Sequence, residues 1–323
     1  MFPSHSSGIL LVMATKKPTT NAKTKTSKSK STNKIAAAKT RAAKTTAKAP
    51  EKTTKVVKSA KVTIPKLTGA SASVMGLRRL HMVAAGLFVV LAIAAGVLMG
   101  NDSYQLTVGH LAKDALASGE VLVPATKAVY DIEIRWMVVG LLVLSAVLPV
   151  LYVTKLEDRY NAYVRNTRMM PYRWIDLAVT GAVMMQIVAL LSGVSDIFTL
   201  KALGGLVALS FVLSLIAERQ NNTSDKVVWS AYVAGIFSGV LPWLFIAGYA
   251  VSSVVFGSVA SPWYVYALYG VGVASFTLLM IKQCKAYRRK SAAQNYLAVE
   301  RNYVVISLLT KVAFAAALIV GLS

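Results

Sequence analysis

The chain has 323 residues, 55% of them hydrophobic, with a mean hydropathy of +0.56, a formal net charge of +23 and one cysteine. That apolar share excludes an ordinary soluble domain. The lone Cys284 excludes an intramolecular disulfide and a thiolate metal cluster. A chain this apolar and this basic must keep the two properties apart, and it does so from the start.

Residues 1–12 hold an apolar stretch too short to span a membrane, without the basic flank or cleavage site of a signal peptide, and Met13 is an alternative start. Residues 14–68 are a low-complexity tract of Lys, Thr, Ala and Ser. Between Lys16 and Lys66 it carries sixteen basic residues and one acid, Glu51. With no aromatics and no hydrophobic periodicity, it is predicted to be disordered. An anionic lipid surface is the partner it suits best, each basic residue near the surface contributing about 1 kcal/mol. Nucleic acid, bound by phosphate neutralisation, is the alternative, and a solvated tail with no partner is a third. We place the boundary between this tail, 1–75, and a membrane domain, 76–323.

Seven apolar runs follow, each long enough to cross a bilayer: 80–100, 134–154, 174–194, 197–217, 228–252, 262–282 and 302–322. The prediction is an all-α, seven-helix transmembrane bundle in the cell membrane. Basic residues cluster in alternate connections: the tail, then Lys155 to Arg173, then Arg219 and Lys226, then Lys282 to Arg301. The opposite connections are acidic or mixed from Asp102 to Lys127, carry Asp196, and are uncharged from Ser253 to Pro262. The positive-inside rule therefore puts the N-terminus in the cytoplasm and the C-terminus outside. Arg135 and Lys201 near span ends read as snorkelling residues, and Trp136, Trp229, Trp263 and Tyr264 as an aromatic belt.

Lys311 lies near the middle of the last run. At about 1.5 Å per residue it is roughly 12–16 Å from either membrane surface. An ammonium at that depth costs at least about 2.5–3.5 kcal/mol, so its presence asks for a function. Its side chain is too short to snorkel. It fits either an ion-coupling lysine in a wet cavity or a desolvated amine that condenses with an aldehyde to a Schiff base. A protonated Schiff base needs an anion. Asp176, two residues after Trp174, is the best-placed carboxylate, although pairing with Arg173 at the interface would also account for it. Asp131 and Glu133 sit at the outer mouth of the second span, Asp196 in a turn, and Glu218 at the end of the fourth span. Ser307 is one turn before Lys311 on the same face, where it would hydrogen-bond the amine or bond back to its own helix. Trp243, mid-span after Pro242, is either packing or a wall beside a flat conjugated ligand. There is no phosphate-binding glycine loop, zinc-ligand spacing or Ser/His/Asp set. His5, His81 and His110 are too scattered to suggest a metal site, so neither an enzyme nor a metal protein is expected.

Several stretches carry a family pattern: Tyr172-Arg173-Trp174-Ile175-Asp176, Gly193-Val194-Ser195-Asp196-Ile197, Gly239-Val240-Leu241-Pro242-Trp243, Asn295-Tyr296-Leu297, Glu300-Arg301-Asn302-Tyr303, and Ser307-Leu308-Leu309-Thr310-Lys311. Together they resemble the heliorhodopsins, seven-helix retinal proteins whose N-terminus lies inside, over about residues 76–323. The resemblance implies all-trans retinal as cofactor, isomerised by light, with Lys311 as its attachment point and Asp176 at the counterion position, where glutamate is usual. It implies Ser307 and Ser145 as polar neighbours of the Schiff base, Trp243 as a pocket aromatic, and a homodimer. Two cavity histidines usual in the family align with Val89 and Pro149 here, and the long basic tail lies outside the family pattern. A light sensor read by a cytoplasmic partner is the expected function, because a pump needs titratable groups spaced across the membrane and the spans offer few. A light-gated or light-driven ion transporter is the alternative, and a scaffold that has lost retinal chemistry fits poorly with keeping both Lys311 and Asp176.

Overall fold

The computed structural model describes residues 68–113, 122–167, 169–257, 261–288 and 296–323. Most of the predicted tail, and with it the basic tract, lies outside the described residues. Helix α1, Thr68–Leu98, begins within the segment assigned to that tail. It is followed by strands β1, Ser103–Lys113, and β2, Leu122–Glu133, then by α2, Ile134–Val153. A short helix α3, Glu157–Ala162, runs into a single π-helical turn, Tyr163–Thr167. Five long helices follow: α4 Pro171–Leu191, α5 Ile197–Thr223, α6 Ser230–Phe256, α7 Trp263–Arg288 and α8 Tyr296–Gly321.

Among the described residues, seven helices are long and apolar enough to cross a membrane. The shortest, α2, has 20 residues, about 30 Å at helical rise, which matches the hydrocarbon core. In such a core every backbone amide must be satisfied within its own segment, and that makes helices of these runs. The helices pack in a closed ring, α1 on α2, then α4, α5, α6, α7 and α8, with α8 returning to α1 and α4 touching α7 across the middle. The start of α4, the end of α5 and the start of α8 consequently share one end of the bundle.

The expected seven-helix bundle is present, but the all-α description omits the hairpin formed by β1 and β2. It is antiparallel, pairs Ser103 with Glu133 and Lys113 with Leu122, and has a bulge between Leu106 and Thr107. A search for long apolar runs passes over it, because a half-exposed hairpin reads as short alternation. Leu106 is its buried anchor. The hairpin is tied to the α4–α5 turn, where the Thr107 amide donates to the Ser195 carbonyl at 2.9 Å. That turn needs Gly193, which has φ +95°, a conformation costly for other residues.

The interfacial aromatics divide. Trp136 and Trp263 face outward as a belt should. Tyr264 does not: its ring is buried so close to Gly321 that a Cβ there would lie 2.4 Å away. Trp229 packs edge-on against Tyr232 and Tyr287. Both therefore belong to helix packing. Arg135 pairs with Glu133 at 3.0 Å, and Lys201 donates to Gln186 Oε1 at 2.9 Å.

Asp196 caps α5. One of its carboxylate oxygens accepts from both the Thr199 amide and the Thr199 hydroxyl, at 2.7 Å each. Those bonds hold its carboxyl below the usual aspartate range. The cap's contribution is therefore fully present above the unfolded-state value, about 3.9, and is lost as pH falls through the lower folded-state value. We expect Asp196→Ala to cost about 0.5–2 kcal/mol and Asp196→Asn less. Thermal unfolding in detergent at pH 7 measures both, and equal melting for wild type and Asp196→Ala would show that the cap is idle.

Candidate functional site

The centre of the bundle is organised by one buried ion pair. Lys311, on α8, is 3% exposed, and its ammonium reaches both carboxylate oxygens of Asp176, on α4, at 3.0 and 3.1 Å. Two local features make this possible. Proline at the first position of α4 starts that helix at 171, so Asp176 is already inside it. On α8, which begins at the same end of the bundle, side chains lean toward the helix N-terminus and carry the lysine stem toward Asp176. The ammonium also lies 5.7 Å from the centre of the Phe88 ring on α1.

The alternative partner for Asp176, Arg173, is engaged elsewhere. Its guanidinium donates to Glu218 at 2.9 Å and to Glu300, and it lies over the rings of Tyr303 at 4.0 Å and Trp174 at 4.7 Å. Glu218 also accepts from Trp174 Nε1 and, at 2.9 Å, from the Tyr296 hydroxyl. A residue read from the sequence as a span end is thus a buried member of a polar cluster.

Two cavities meet at Lys311. The larger, about 610 Å³, has walls that are mainly apolar and aromatic, among them Met184, Met185, Phe211, Trp243, Phe276 and Phe314. Trp243 lies so close to Gly272 that a Cβ added there would sit 2.2 Å from the indole. The absence of a side chain at Gly272 is what lets the indole stand in the wall. The smaller cavity, about 460 Å³, also has largely apolar walls but is the more polar of the two, and it brings together His81, Ser145, Tyr152, Arg173, Asp176, Glu300 and Lys311. Ser307 lines both cavities. Ser145 lines the polar one while its hydroxyl donates back to the Leu141 carbonyl at 2.7 Å. All five residues singled out in the sequence, Lys311, Asp176, Ser307, Ser145 and Trp243, therefore line this pair of cavities.

A model of the heliorhodopsin family matches residues 77–322. The chain belongs to the heliorhodopsin family. No curated protein matches it. This heliorhodopsin is thus a multi-pass membrane protein of a light-sensing, retinal-binding type, a class distinct from classical enzymes. Its own residues fit the chromophore. An elongated polyene needs an apolar, aromatic-walled slot that reaches an amine, and the larger cavity supplies both, with Gly272 leaving room for the Trp243 ring.

One of the two aligned positions lies away from the cavity. Val89 is 49% exposed on the outer face of α1 and is absent from the polar cavity; the α1 residues that line it are His81, Ala84 and Phe88. Pro149 does line it. The cavity therefore has a histidine, His81, which the sequence reading set aside as scattered. Its Nε2 is 2.9 Å from the Tyr160 hydroxyl, and its Nδ1 is buried without a partner, as is the Tyr152 hydroxyl. The spacing 81, 84, 88 along one helical face was the signal available. Glu300 and Tyr160 had none, because nothing local marks which acid or phenol turns inward.

We expect Gly272→Val to drive the Trp243 indole into the larger cavity. Reconstitution with retinal should then give a lower chromophore yield or a displaced absorption maximum. A spectrum identical to wild type would show that this wall does not contact the chromophore.

Proposed function

We propose that Lys311 carries all-trans retinal as a protonated Schiff base, that Asp176 is its counterion, and that the protein is a sensory photoreceptor of the cell membrane with its N-terminus in the cytoplasm. The observation that carries this reading is the 3.0 Å pair between Lys311 and Asp176 at the junction of a mainly apolar cavity and a more polar one. When bound, retinal supplies visible absorption and isomerisation by light. The chain's own residues do the rest. Asp176 offers both oxygens to one cation and so fixes where positive charge can rest. Trp243, Phe211 and Phe276 exclude water from one side of that cation. Ser307 and Ser145 supply weak polar contacts around it, and aspartate in place of glutamate shortens the counterion's reach by one methylene.

The placement of charge favours sensing over pumping. Among the described residues, the buried acidic, basic and histidine side chains, His81, Arg173, Glu218, Glu300 and Lys311, reach from mid-bundle toward one end, where α4 and α8 begin. A pump needs titratable groups on both sides of its switch. The polar cavity supports a second reading, in which light opens a path for ions toward that end. The basic tract 14–68 would lie in the cytoplasm with the N-terminus. We assign it to an anionic lipid surface rather than nucleic acid, and assign signal output to a cytoplasmic partner and the assembled state to a homodimer.

Adding all-trans retinal to the purified protein should produce a visible band that Lys311→Ala lacks, and illumination should give no photocurrent in cells expressing the wild type. No visible band, or the same band in Lys311→Ala, would remove Lys311 from the role. A steady photocurrent would select the transporter reading.

A further inference from the structure

Arg173 is shared by two buried carboxylates. Its two terminal nitrogens go to Glu218 and Glu300, and among the described residues no other cation is paired with either acid. Lys311 is matched by Asp176. With every group ionised, one negative charge would be left over in a region where Glu300 is 2% exposed and Arg173 7%. Isolated charge in such surroundings is expensive, and carboxylates that share one site relieve it by keeping a proton between them.

The cluster is not sealed from the cavity at Lys311. Glu300 and Arg173 line the same polar cavity as Asp176 and Lys311. The Tyr160 hydroxyl is 2.9 Å from His81 Nε2 and also lies beside the Glu300 carboxyl. His81 and Tyr152 each present a buried, unpartnered polar atom, His81 Nδ1 and the Tyr152 hydroxyl. The other ionisable side chains near the acids are the phenols of Tyr287, Tyr296 and Tyr303, which add no cation. Among the described residues, His81 is the competing seat for the proton.

We propose that Glu218 and Glu300 share one exchangeable proton across Arg173, and that Tyr160 and His81 connect it to the cavity of Lys311 and Asp176. The shared proton is a property of the cluster alone. Its coupling to light rests on the role proposed for Lys311. Charge displaced at the Lys311–Asp176 pair would move hydrogen bonds along His81, Tyr160 and Glu300 and change how the two acids hold the proton. Light absorbed mid-bundle would then be read out as altered protonation at the end where α4 and α8 begin and α5 ends.

Infrared spectroscopy of the retinal-loaded protein in the dark reads protonated carboxyls directly. The expected result is a carboxyl carbonyl band that shifts in D2O and disappears in both Glu218→Gln and Glu300→Gln, because either variant leaves Arg173 matched by a single carboxylate. A band lost in neither variant, or in only one, would overturn sharing. No band at all would place the proton on His81 and overturn it too. Should a glutamine variant fail to fold, Glu218→Asp and Glu300→Asp keep the charge; both must move the band if the proton is shared, and an unmoved band in either contradicts it. For the link, light-minus-dark spectra of the wild type should show the band shifting, and His81→Phe and Tyr160→Phe should suppress that shift while keeping the dark band. A shift unchanged in both variants would overturn the link. A dark band that responds to the glutamine variants, in a protein that forms no visible chromophore, would leave the shared proton standing and sink the role of Lys311.

Discussion

A lysine ammonium held inside a membrane protein by one aspartate constrains everything around it. The pair of Lys311 and Asp176 needs α4 and α8 at a fixed relative height, because a lysine stem and a short aspartate leave little slack across 3.0 Å. It also needs the nearest competing cation removed. Arg173 is three residues from Asp176 and on the same helical face, where it would otherwise take that carboxylate. Glu218 from α5 and Glu300 from α8 hold the guanidinium away, and the rings of Tyr303 and Trp174 flank it. Thus α4, α5 and α8 are tied at one end by a second polar cluster whose effect is to leave Asp176 for Lys311.

The same pair divides the interior. On one side the walls are mainly apolar, with methionine and aromatic rings among them, and on the other a histidine, two tyrosines and two carboxylates join the apolar lining. A cation at that boundary is stabilised from the polar side, while its other face meets surroundings too dry to solvate it. Light absorbed in the apolar slot would move charge at the boundary, and among the described residues the carboxylates and the histidine that could answer it line the polar side. That asymmetry suits a device that changes state and returns better than one that carries an ion through. Removal of either partner would strand a buried charge, the most expensive kind of defect in such a bundle.

Much of this was legible in the sequence, for physical reasons. Apolar runs mark the helices, since the bilayer forces helical structure. Lys311 was legible because a mid-span cation is so costly, and Asp176 because few other acids enter the spans. Helix ends were less visible: α7 continues through Lys282 and Lys285 to Arg288, because long basic side chains extend from a helix into water without ending it. The β1–β2 hairpin was missed, being half-exposed and short in period. The inward faces of helices were least legible. Val89 and Phe88 are adjacent and equally apolar, yet one faces outward and the other the cavity. His81, Glu300 and Tyr160 became functional candidates only when three segments far apart in sequence were seen to meet.

The most direct test of the Lys311–Asp176 pairing is a pH titration of the visible band in the retinal-loaded wild type and in Asp176→Asn. If Asp176 is the counterion, the wild-type band should persist well into the alkaline range. Without the carboxylate the protonated form loses its stabilising anion, so the variant's band should give way to near-ultraviolet absorption at lower pH than in wild type. Superimposable titration curves would contradict the account, since the cation at Lys311 would then draw its stabilisation from some other group.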